Sequence, residues 1–336
     1  MTSRSSSKTT AIGRSAKIGI TLGDPSGIGP EIVAKALCSL SAHELSRIVV
    51  FGEDFILSQQ WDALKTNPIQ RPSTISPNIL NPADLQLGVP NAQTARAQVA
   101  YLQAALAAAQ RGEIAGLATA PISKTQAMSA GFDFPGHTEF LCDGFGAEAV
   151  AMMFAGPKLN VVLATVHEAL ADLPRVLTTE RVRSAIVLAA KAMQDDFGVE
   201  RPRIGVLGLN PHAGEEGKFG DEESRVIRPA IAAASEQLPD TVTIEGPLVP
   251  DAAFRMPYDC FVAMYHDQGL IPVKLIDFDE AVNTTLGLPI VRTSPDHGVA
   301  YDIAAKGIAR ETSMKASIDL AFRLVDQRET KRAIES

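Results

Sequence analysis

Cysteines, aromatic residues and long apolar runs are scarce in this chain of 336 residues. The three cysteines lie far apart and form no CxxC pattern, so we expect buried free thiols in a reducing compartment and not a disulfide framework. Only 5% of the residues are aromatic. No stretch approaches the roughly 18 consecutive apolar residues of a membrane span, which predicts a protein that does not cross a membrane.

Positive charge is also in short supply, since 31 Lys and Arg residues face 39 Asp and Glu residues, for a formal net charge of −8. This balance argues against nucleic acid as a partner, although a local basic pocket for one phosphate group is compatible with it. Residues 1–16 are rich in Ser, Thr, Arg and Lys and lack the apolar core of a secretory signal. We predict a disordered tail there and a cytoplasmic protein, with a short transit peptide as the alternative.

Strand-like apolar runs alternate with helical stretches from one end of the chain to the other. This alternation predicts an α/β fold with mostly parallel strands. The runs typical of strands are 18–22, 47–51, 116–120, 161–166, 203–209 and 260–265. The stretches typical of helices are 30–40, 94–111, 179–197, 222–237, 303–308 and 315–330. No change in composition marks a clean domain boundary.

Three of the six histidines, His167, His212 and His266, each follow an apolar, strand-like run. Ligands of open α/β sheets bind outside the carboxyl ends of the strands, so three imidazoles at such ends could meet in one site. Three neutral imidazoles suit a divalent metal ion. A lone histidine in a loop is more often a surface residue than a ligand, so it is the repeated context that favours a metal site.

Two further segments combine residues suited to an anion. Lys274, Asn283 and Arg292 provide a point charge, a neutral donor and a planar fork, which together could bind a phosphate monoester. Taken singly, the two cations would more often be solvated surface charges. His137 and Thr138 follow a glycine, and an imidazole beside a hydroxyl could hold an anionic oxygen. The alternative role for Thr138 is a helix cap.

Two turns remain. The segment GDPSGIGPE, from Gly23 to Glu31, follows a strand and opens a helix, but its glycines lie at the wrong intervals for the dinucleotide fingerprint GxGxxG. A tight strand-to-helix turn is the simpler interpretation. In the segment SPDHGVAYD, His297 and Asp302 flank a turn whose carboxylate and backbone groups could hold an adenosine, with a capped turn as the alternative.

Taken in order, these segments resemble the 4-hydroxythreonine-4-phosphate dehydrogenase family of vitamin B6 biosynthesis. The likeness runs from Asp24 to Gly307 and includes GHTEF, LNPHAGEEGKFGDEE, AMYHDQGLIPVK and NTTLGLPIVRTSPDHG. The wider group to which the chain is similar contains the metal-dependent dehydrogenases of the isocitrate and isopropylmalate type. That resemblance implies two α/β/α domains with a cleft between them, approximately 17–135 plus 270–336, and 136–269.

The resemblance also implies the members of an active site. A divalent metal ion, such as zinc, magnesium or cobalt, would be bound by His167, His212 and His266. The substrate contacts would come from His137, Thr138, Lys274, Asn283 and Arg292. NAD or NADP would be the oxidant, bound through the loop with His297, Gly298 and Asp302. As a mechanistic hypothesis, Asp251 and Asp267 are the predicted catalytic residues, which orient ligands or move protons, with a Lys or His near the cleft as the alternative.

The reaction expected from the resemblance is oxidation of 4-phosphooxy-L-threonine to 2-amino-3-oxo-4-phosphooxybutanoate. Loss of CO2 then gives 3-amino-2-oxopropyl phosphate. A homodimer with shared active sites is implied as well. Glu168 follows the first metal histidine where many members carry a proline and a basic residue, which leaves local substrate contacts open. The alternatives are a paralogue that oxidises D-threonate or D-erythronate 4-phosphate, and a catalytically idle protein that binds metal or phosphate.

Overall fold

The computed structural model describes residues 16–335. The disordered tail predicted for 1–16 therefore lies outside the described residues, except for Ala16. The described chain forms one sheet of eleven strands. These are β1 (Ile18–Thr21), β2 (Ile48–Phe51), β3 (Ser73–Ile75), β4 (Gly116–Thr119), β5 (Ala151–Ala155), β6 (Asn160–Leu163), β7 (Arg203–Leu207), β8 (Thr243–Leu248), β9 (Cys260–Ala263), β10 (Val282–Leu286) and β11 (Val291–Ser294).

Helices connect most of the strands, and several begin at the capping residues that favour helix initiation. Asn91, for example, forms a capping box with Thr94 at the start of the longest internal helix. In chain order the α-helices are α1 (Gly29–Cys38), α2 (Ala42–Ser46), α3 (Asp54–Leu64), α4 (Ala92–Gln110), α5 (Lys124–Ser129), α6 (His137–Phe145), α7 (Leu173–Val176), α8 (Thr179–Asp195), α9 (Arg228–Gln237), α10 (Pro250–Ala253), α11 (His266–Ile276) and α12 (Thr312–Glu335). None of the described helices is long and apolar enough to cross a membrane.

The strand order across the sheet is β3-β2-β1-β4-β11-β10-β5-β6-β9-β7-β8. Most neighbouring strands are parallel, as predicted, but β10 is antiparallel to both of its neighbours and β5 is antiparallel to β6. Helices cover the buried strands, which explains why a strand such as β2 is apolar on both faces. The α/β class predicted from the sequence is confirmed. The division into two domains stays a prediction.

The chain between β11 and α12 differs from the prediction. The helix expected over 303–308 is wrong, because residues 301–305 form hydrogen-bonded turns. Ala300, Ala305 and Gly307 have φ values of 44°, 71° and 68°, in the left-handed region, which a right-handed helix cannot contain. The alanine-rich composition of this segment indicates a helix. In the structure its backbone instead forms turns that contact side chains of α1.

Candidate active site

The three predicted metal ligands follow three neighbouring parallel strands. β9 lies between β6 and β7 and is parallel to both. The carboxyl ends of these strands therefore meet at one edge of the sheet, where ligands of open α/β sheets bind. His167 follows β6, His212 follows β7, and His266 is the first residue of α11, directly after β9. The strand-end pattern in the sequence thus identified one connected edge of the fold.

Two of these imidazoles lie together. The ring centroids of His167 and His266 are 5.8 Å apart. Burial, the charge of Lys124 and the neighbouring His266 lower the pKa of His167, which favours the neutral ring that binds metal ions. Nδ1 of His266 lies 2.7 Å from Oδ1 of Asp267, a contact that orients the ring and leaves Nε2 for a ligand. Two imidazoles side by side could supply two of the ligands of a divalent cation.

His212 lies apart from the other two in a single copy of the chain. It stands in an exposed 3-10 turn over Pro211–Gly217, and its ring lies 6.1 Å from that of Phe219. Over residues 16–335, one copy contains no group of three His, Cys, Asp or Glu residues that could hold a metal ion. The turn packs against α10, which carries Asp251. In one copy, His167 and His266 thus lie with Asp267, and the turn that carries His212 lies with Asp251.

The backbone around His212 is left-handed over five successive residues. This left-handed turn consists of His212 (φ 53°), Ala213 (φ 51°), Gly214 (φ 79°), Glu215 (φ 40°) and Glu216 (φ 57°). For residues other than glycine, this conformation costs roughly 1–2 kcal/mol each. The rest of the fold must therefore hold the turn in place. Backbone strain of this kind is concentrated at functional sites.

A second centre lies on the face of the sheet formed by β4, β11 and β10. Arg292 is buried in β11, and its Nη1 and Nη2 donate to the hydroxyl groups of Thr285 at 3.1 Å and of Thr119 at 2.9 Å. None of the described carboxylates lies within ion-pair distance of it, and its Nε has no partner among these residues. Burial lowers the pKa of Arg292 to about 10. The charge of Glu139 acts on this guanidinium from beyond ion-pair distance, and a buried guanidinium of this kind is suited to an anion.

The other predicted anion contacts surround this guanidinium. Oγ1 of Thr138 lies 3.3 Å from Oγ1 of Thr285, which also accepts from Arg292. Nε2 of His137 and Oδ1 of Asn283 are both buried without a described partner. Burial and then the charges of Arg292 and Lys124 hold the pKa of His137 well below its ordinary value, so its ring is neutral. The fold thus places His137 and Thr138 near Arg292, and Asn283 lies on the same face of β10 as Thr285.

Lys274, the fifth predicted contact, has a different partner. Its Nζ lies 2.6 Å from Oδ2 of Asp296. Both residues line a cavity of about 480 Å³ between α11 and the segment that follows β11. His297 and Gly298 line the same cavity, whereas Asp302 is exposed and lies outside its lining. Volumes of this size are typical of ligand pockets.

Sequence reasoning missed Lys124. This exposed residue opens α5, shortly after β4 ends. Its charge lowers the pKa of both His137 and His167, so it lies between the anion centre and the imidazole pair. A Cβ atom at Gly136 would lie 3.9 Å from its Nζ. Its position after a strand end was the available signal, but an isolated lysine is usually a solvated surface charge.

Sequence reasoning also missed Tyr301, whose hydroxyl donates to Oδ2 of the fully buried Asp24 at 2.5 Å. Burial raises the pKa of both groups. The backbone N–H of Ile28 donates to the carbonyl of Val299, and a Cβ atom at Gly27 would lie 2.7 Å from that oxygen. The glycine-rich turn after β1 is therefore the surface on which the segment after β11 packs.

Comparison with known proteins gives a consistent result. Residues 44–321 match the family "Pyridoxal phosphate biosynthetic protein PdxA". A 4-hydroxythreonine-4-phosphate dehydrogenase from Desulfosudis oleivorans is 44% identical, over 91% of this chain and 95% of its own length. The structure of a 4-hydroxythreonine-4-phosphate dehydrogenase from Klebsiella pneumoniae is 38% identical, covers 94% of this chain and 99% of its own, and superposes with a TM-score of 0.84.

A more distant structure belongs to an enzyme with another substrate. The terephthalate 1,2-cis-dihydrodiol dehydrogenase from Burkholderia xenovorans is 31% identical, covers 92% of this chain and 98% of its own, and gives a TM-score of 0.68. All three named proteins are dehydrogenases. Both the family match and the identity extend over most of the chain. The chain therefore belongs to the PdxA family of pyridoxal phosphate biosynthetic proteins and is an oxidoreductase.

Proposed function

We propose that this enzyme oxidises 4-phosphooxy-L-threonine to 2-amino-3-oxo-4-phosphooxybutanoate with NAD or NADP, in the synthesis of pyridoxal phosphate. The keto acid then loses CO2 to give 3-amino-2-oxopropyl phosphate. The observation that carries this proposal is the buried Arg292, which has hydroxyl partners but no carboxylate partner among residues 16–335. A phosphoryl group supplies the missing negative charge and can accept from the fork of N–H groups.

The residues around Arg292 define how the substrate would be held. His137, Thr138 and Asn283 would complete the contacts to the phosphoryl group or the carbon chain beside it. Lys274 would join them from α11, exchanging its pairing with Asp296 for the substrate. These contacts lie away from the carbon that reacts. Their effect is to fix the position of that carbon, which lowers the entropic part of the barrier.

The imidazoles would bind the metal ion. The rings of His167 and His266 lie side by side, and the lowered pKa of His167 favours its neutral form, which binds metal ions. When bound, zinc, magnesium or cobalt would favour loss of the proton from the C3 hydroxyl group and stabilise negative charge on that oxygen during decarboxylation. Asp267 orients the ring of His266 through Nδ1. Asp251 and Asp267 are the proposed groups that orient ligands and accept the proton released from the C3 hydroxyl group.

The cavity of about 480 Å³ is the proposed position of the nucleotide. His297 and Gly298 line it, and the contacts of Asp24 and Ile28 fix the segment that carries them. Bound there, a nicotinamide ring would supply the acceptor for the hydride that leaves C3. Asp302 lies outside the lining, so we propose for it a contact at the rim of the pocket. Choice between NAD and NADP would depend on charges at this rim.

A homodimer with shared sites would complete the metal ligands. The exposed positions Ile271, Leu275 and Phe278 form an apolar stripe along and just beyond α11. Their spacing places them on one side of the helix, and stripes of this kind mark protein contacts. Docking of a second copy there would cover the stripe and bring the partner's half-site to His167 and His266. Mixing two inactive variants, His167→Ala and His212→Ala, tests this arrangement.

Random mixing of the two variants gives heterodimers in which one shared site lacks both changes. We expect about a quarter of the wild-type activity from an equal mixture. Activity that stays at the level of the separate variants contradicts shared sites. Each variant measured alone, at the same total protein concentration, is the control.

Steady-state kinetics with three substrates test the proposed specificity. They are 4-phosphooxy-L-threonine, its dephosphorylated form, and D-erythronate 4-phosphate. We expect the highest kcat/KM for the first and a severe loss for the second, because Arg292 is then left without its anion. A preference for D-erythronate 4-phosphate supports the paralogue, and no turnover of any of them supports the idle binding protein. A cytoplasmic location stays a prediction.

A further inference from the structure

Glu223 is a buried carboxylate that accepts hydrogen bonds from the backbone just before the left-handed turn. Its Oε1 accepts from the backbone N–H groups of Leu209 and Asn210, both at 2.8 Å. Its Oε2 accepts from Nδ2 of Asn210 at 3.1 Å. Only 4% of Glu223 is exposed, and it forms no ion pair with the described cations. Its charge is therefore balanced by N–H groups at the entrance of the turn.

The turn is shaped to fit this carboxylate. A Cβ atom at Gly214 would lie 2.6 Å from Oε2 of Glu223, and one at Gly208 would lie 3.2 Å from its Oε1. The glycines thus allow the backbone on both sides of His212 to approach the same side chain. Ala213 closes the arrangement by donating its N–H to the carbonyl oxygen of Asn210. Few alternative conformations remain for the backbone of His212 between these anchors.

A second side chain connects this frame with the start of α11 in the same copy. Nε2 of Gln268 donates to the carbonyl oxygen of Gly208 at 2.6 Å, and its Oε1 accepts from the N–H of Met264 at 2.7 Å. Gln268 lies two residues after His266, in the first turn of α11. The segments that carry His212 and His266 are therefore fixed relative to one another within one copy.

From these contacts we infer that Glu223 is a positioning residue for metal binding, which acts through His212 by holding the left-handed turn in a conformation that the turn would not adopt alone. This inference rests on the proposed metal site. Because the imidazole is presented in advance, the cation need not order the turn when it binds. Without the carboxylate, His212 is still present, but its turn is no longer held in advance in the conformation that binds the cation.

Titration of Co²⁺ into the full-length, metal-free protein tests this inference without any measurement of activity. Glu223→Gln keeps the size of the side chain but turns an amide nitrogen toward the donors of the turn. We expect its Kd for Co²⁺ to rise roughly 10–100-fold, the usual effect of removing a group that orients a metal ligand. Glu236→Gln, the same change at an exposed position of α9, serves as the matched control.

A double-mutant comparison separates positioning from general damage. In a His212→Ala background, Glu223→Gln should change the Kd by less than twofold, because the residue through which it acts is gone. An equal loss in both backgrounds contradicts the inference and indicates a general structural role. Wild-type affinity in Glu223→Gln contradicts it as well. Failure of the wild-type protein to bind Co²⁺ contradicts the proposed metal site itself, and the inference with it.

Discussion

Arg292 and Thr285 face each other across the antiparallel pair of β11 and β10, and Nη1 of the arginine donates to the threonine hydroxyl at 3.1 Å. A hydroxyl group cannot neutralise a guanidinium, so the pair leaves a full positive charge inside the fold. Proteins normally pair a buried charge, because its desolvation costs several kcal/mol. The exception here identifies the place where an anionic substrate would contribute the balancing charge.

Replacing Arg292 should affect binding and stability in opposite directions. Arg292→Met should raise the KM for the phosphorylated substrate roughly 10–100-fold, corresponding to about 1.5–3 kcal/mol for hydrogen bonds of a charged group. The ligand-free variant should unfold at the same or a higher temperature, since an unpaired buried charge is removed. Steady-state kinetics and thermal unfolding measure the two effects. Arg111→Met, at an exposed arginine paired with Glu113, should change neither, and a KM unchanged in Arg292→Met contradicts the anion site.

His137 should make the free energy of unfolding depend on pH. Its pKa in the folded protein lies well below the ordinary value of 6.5, so the unfolded chain binds more protons as the pH falls below 6.5. Stability is therefore complete above this value and declines from there down to the lowered pKa, by at most about 1.4 kcal/mol per pH unit. Denaturant titrations from pH 7 to pH 5 should show a smaller decline for His137→Gln than for the wild type. Equal declines contradict a neutral buried imidazole.

The left-handed turn should respond to glycine in the opposite way from a helix. Ala213→Gly should raise or leave unchanged the melting temperature, because glycine adopts φ near 51° without the cost of roughly 1–2 kcal/mol that a Cβ atom brings. Ala100→Gly, in the middle of α4, is the control, and it should lower stability by roughly 0.5–1 kcal/mol. Calorimetry on both variants measures the contrast. A similar destabilisation by the two changes contradicts the strained conformation.

Tyr301 should support nucleotide binding through Asp24. Tyr301→Phe removes the hydrogen bond at 2.5 Å and leaves a buried carboxylate oxygen with less support, which costs about 1–3 kcal/mol. We expect a higher KM for the oxidised nicotinamide nucleotide and a smaller change in KM for the phosphorylated substrate. Tyr258→Phe, at a tyrosine that donates to Glu245 in a partly exposed pair, is the matched control. An unchanged nucleotide KM in Tyr301→Phe removes this residue from the cofactor site.

The sequence predicted the strand-end positions well, because their signal is local. An apolar run followed by histidine indicates a strand and then a loop, and parallel strands bring such loops to one edge. His167 and His266 lie together as a result. The environment of Arg292 was less accessible to sequence reasoning, since an isolated arginine is usually exposed. Its burial depends on β10 and β11, strands that were not separately recognised.

Contacts between distant segments could not be predicted from local patterns. Asp24 and Tyr301 are 277 positions apart in the chain and meet only in the folded protein. The left-handed turn gives little local signal either, because alanine and glutamate ordinarily avoid positive φ. Its conformation depends on Glu223, which lies on the following helical segment. Tertiary contacts override local preference at both places.

The most direct measurement of the central claim follows the reduction of NAD or NADP while the protein oxidises 4-phosphooxy-L-threonine. The assay starts from metal-depleted protein and is repeated after addition of Co²⁺, Mg²⁺ or Zn²⁺. We predict turnover only after a divalent cation is restored, and none in His266→Ala under any of these conditions. Full turnover by protein shown to be free of metal would contradict the account, as would undiminished turnover in His266→Ala.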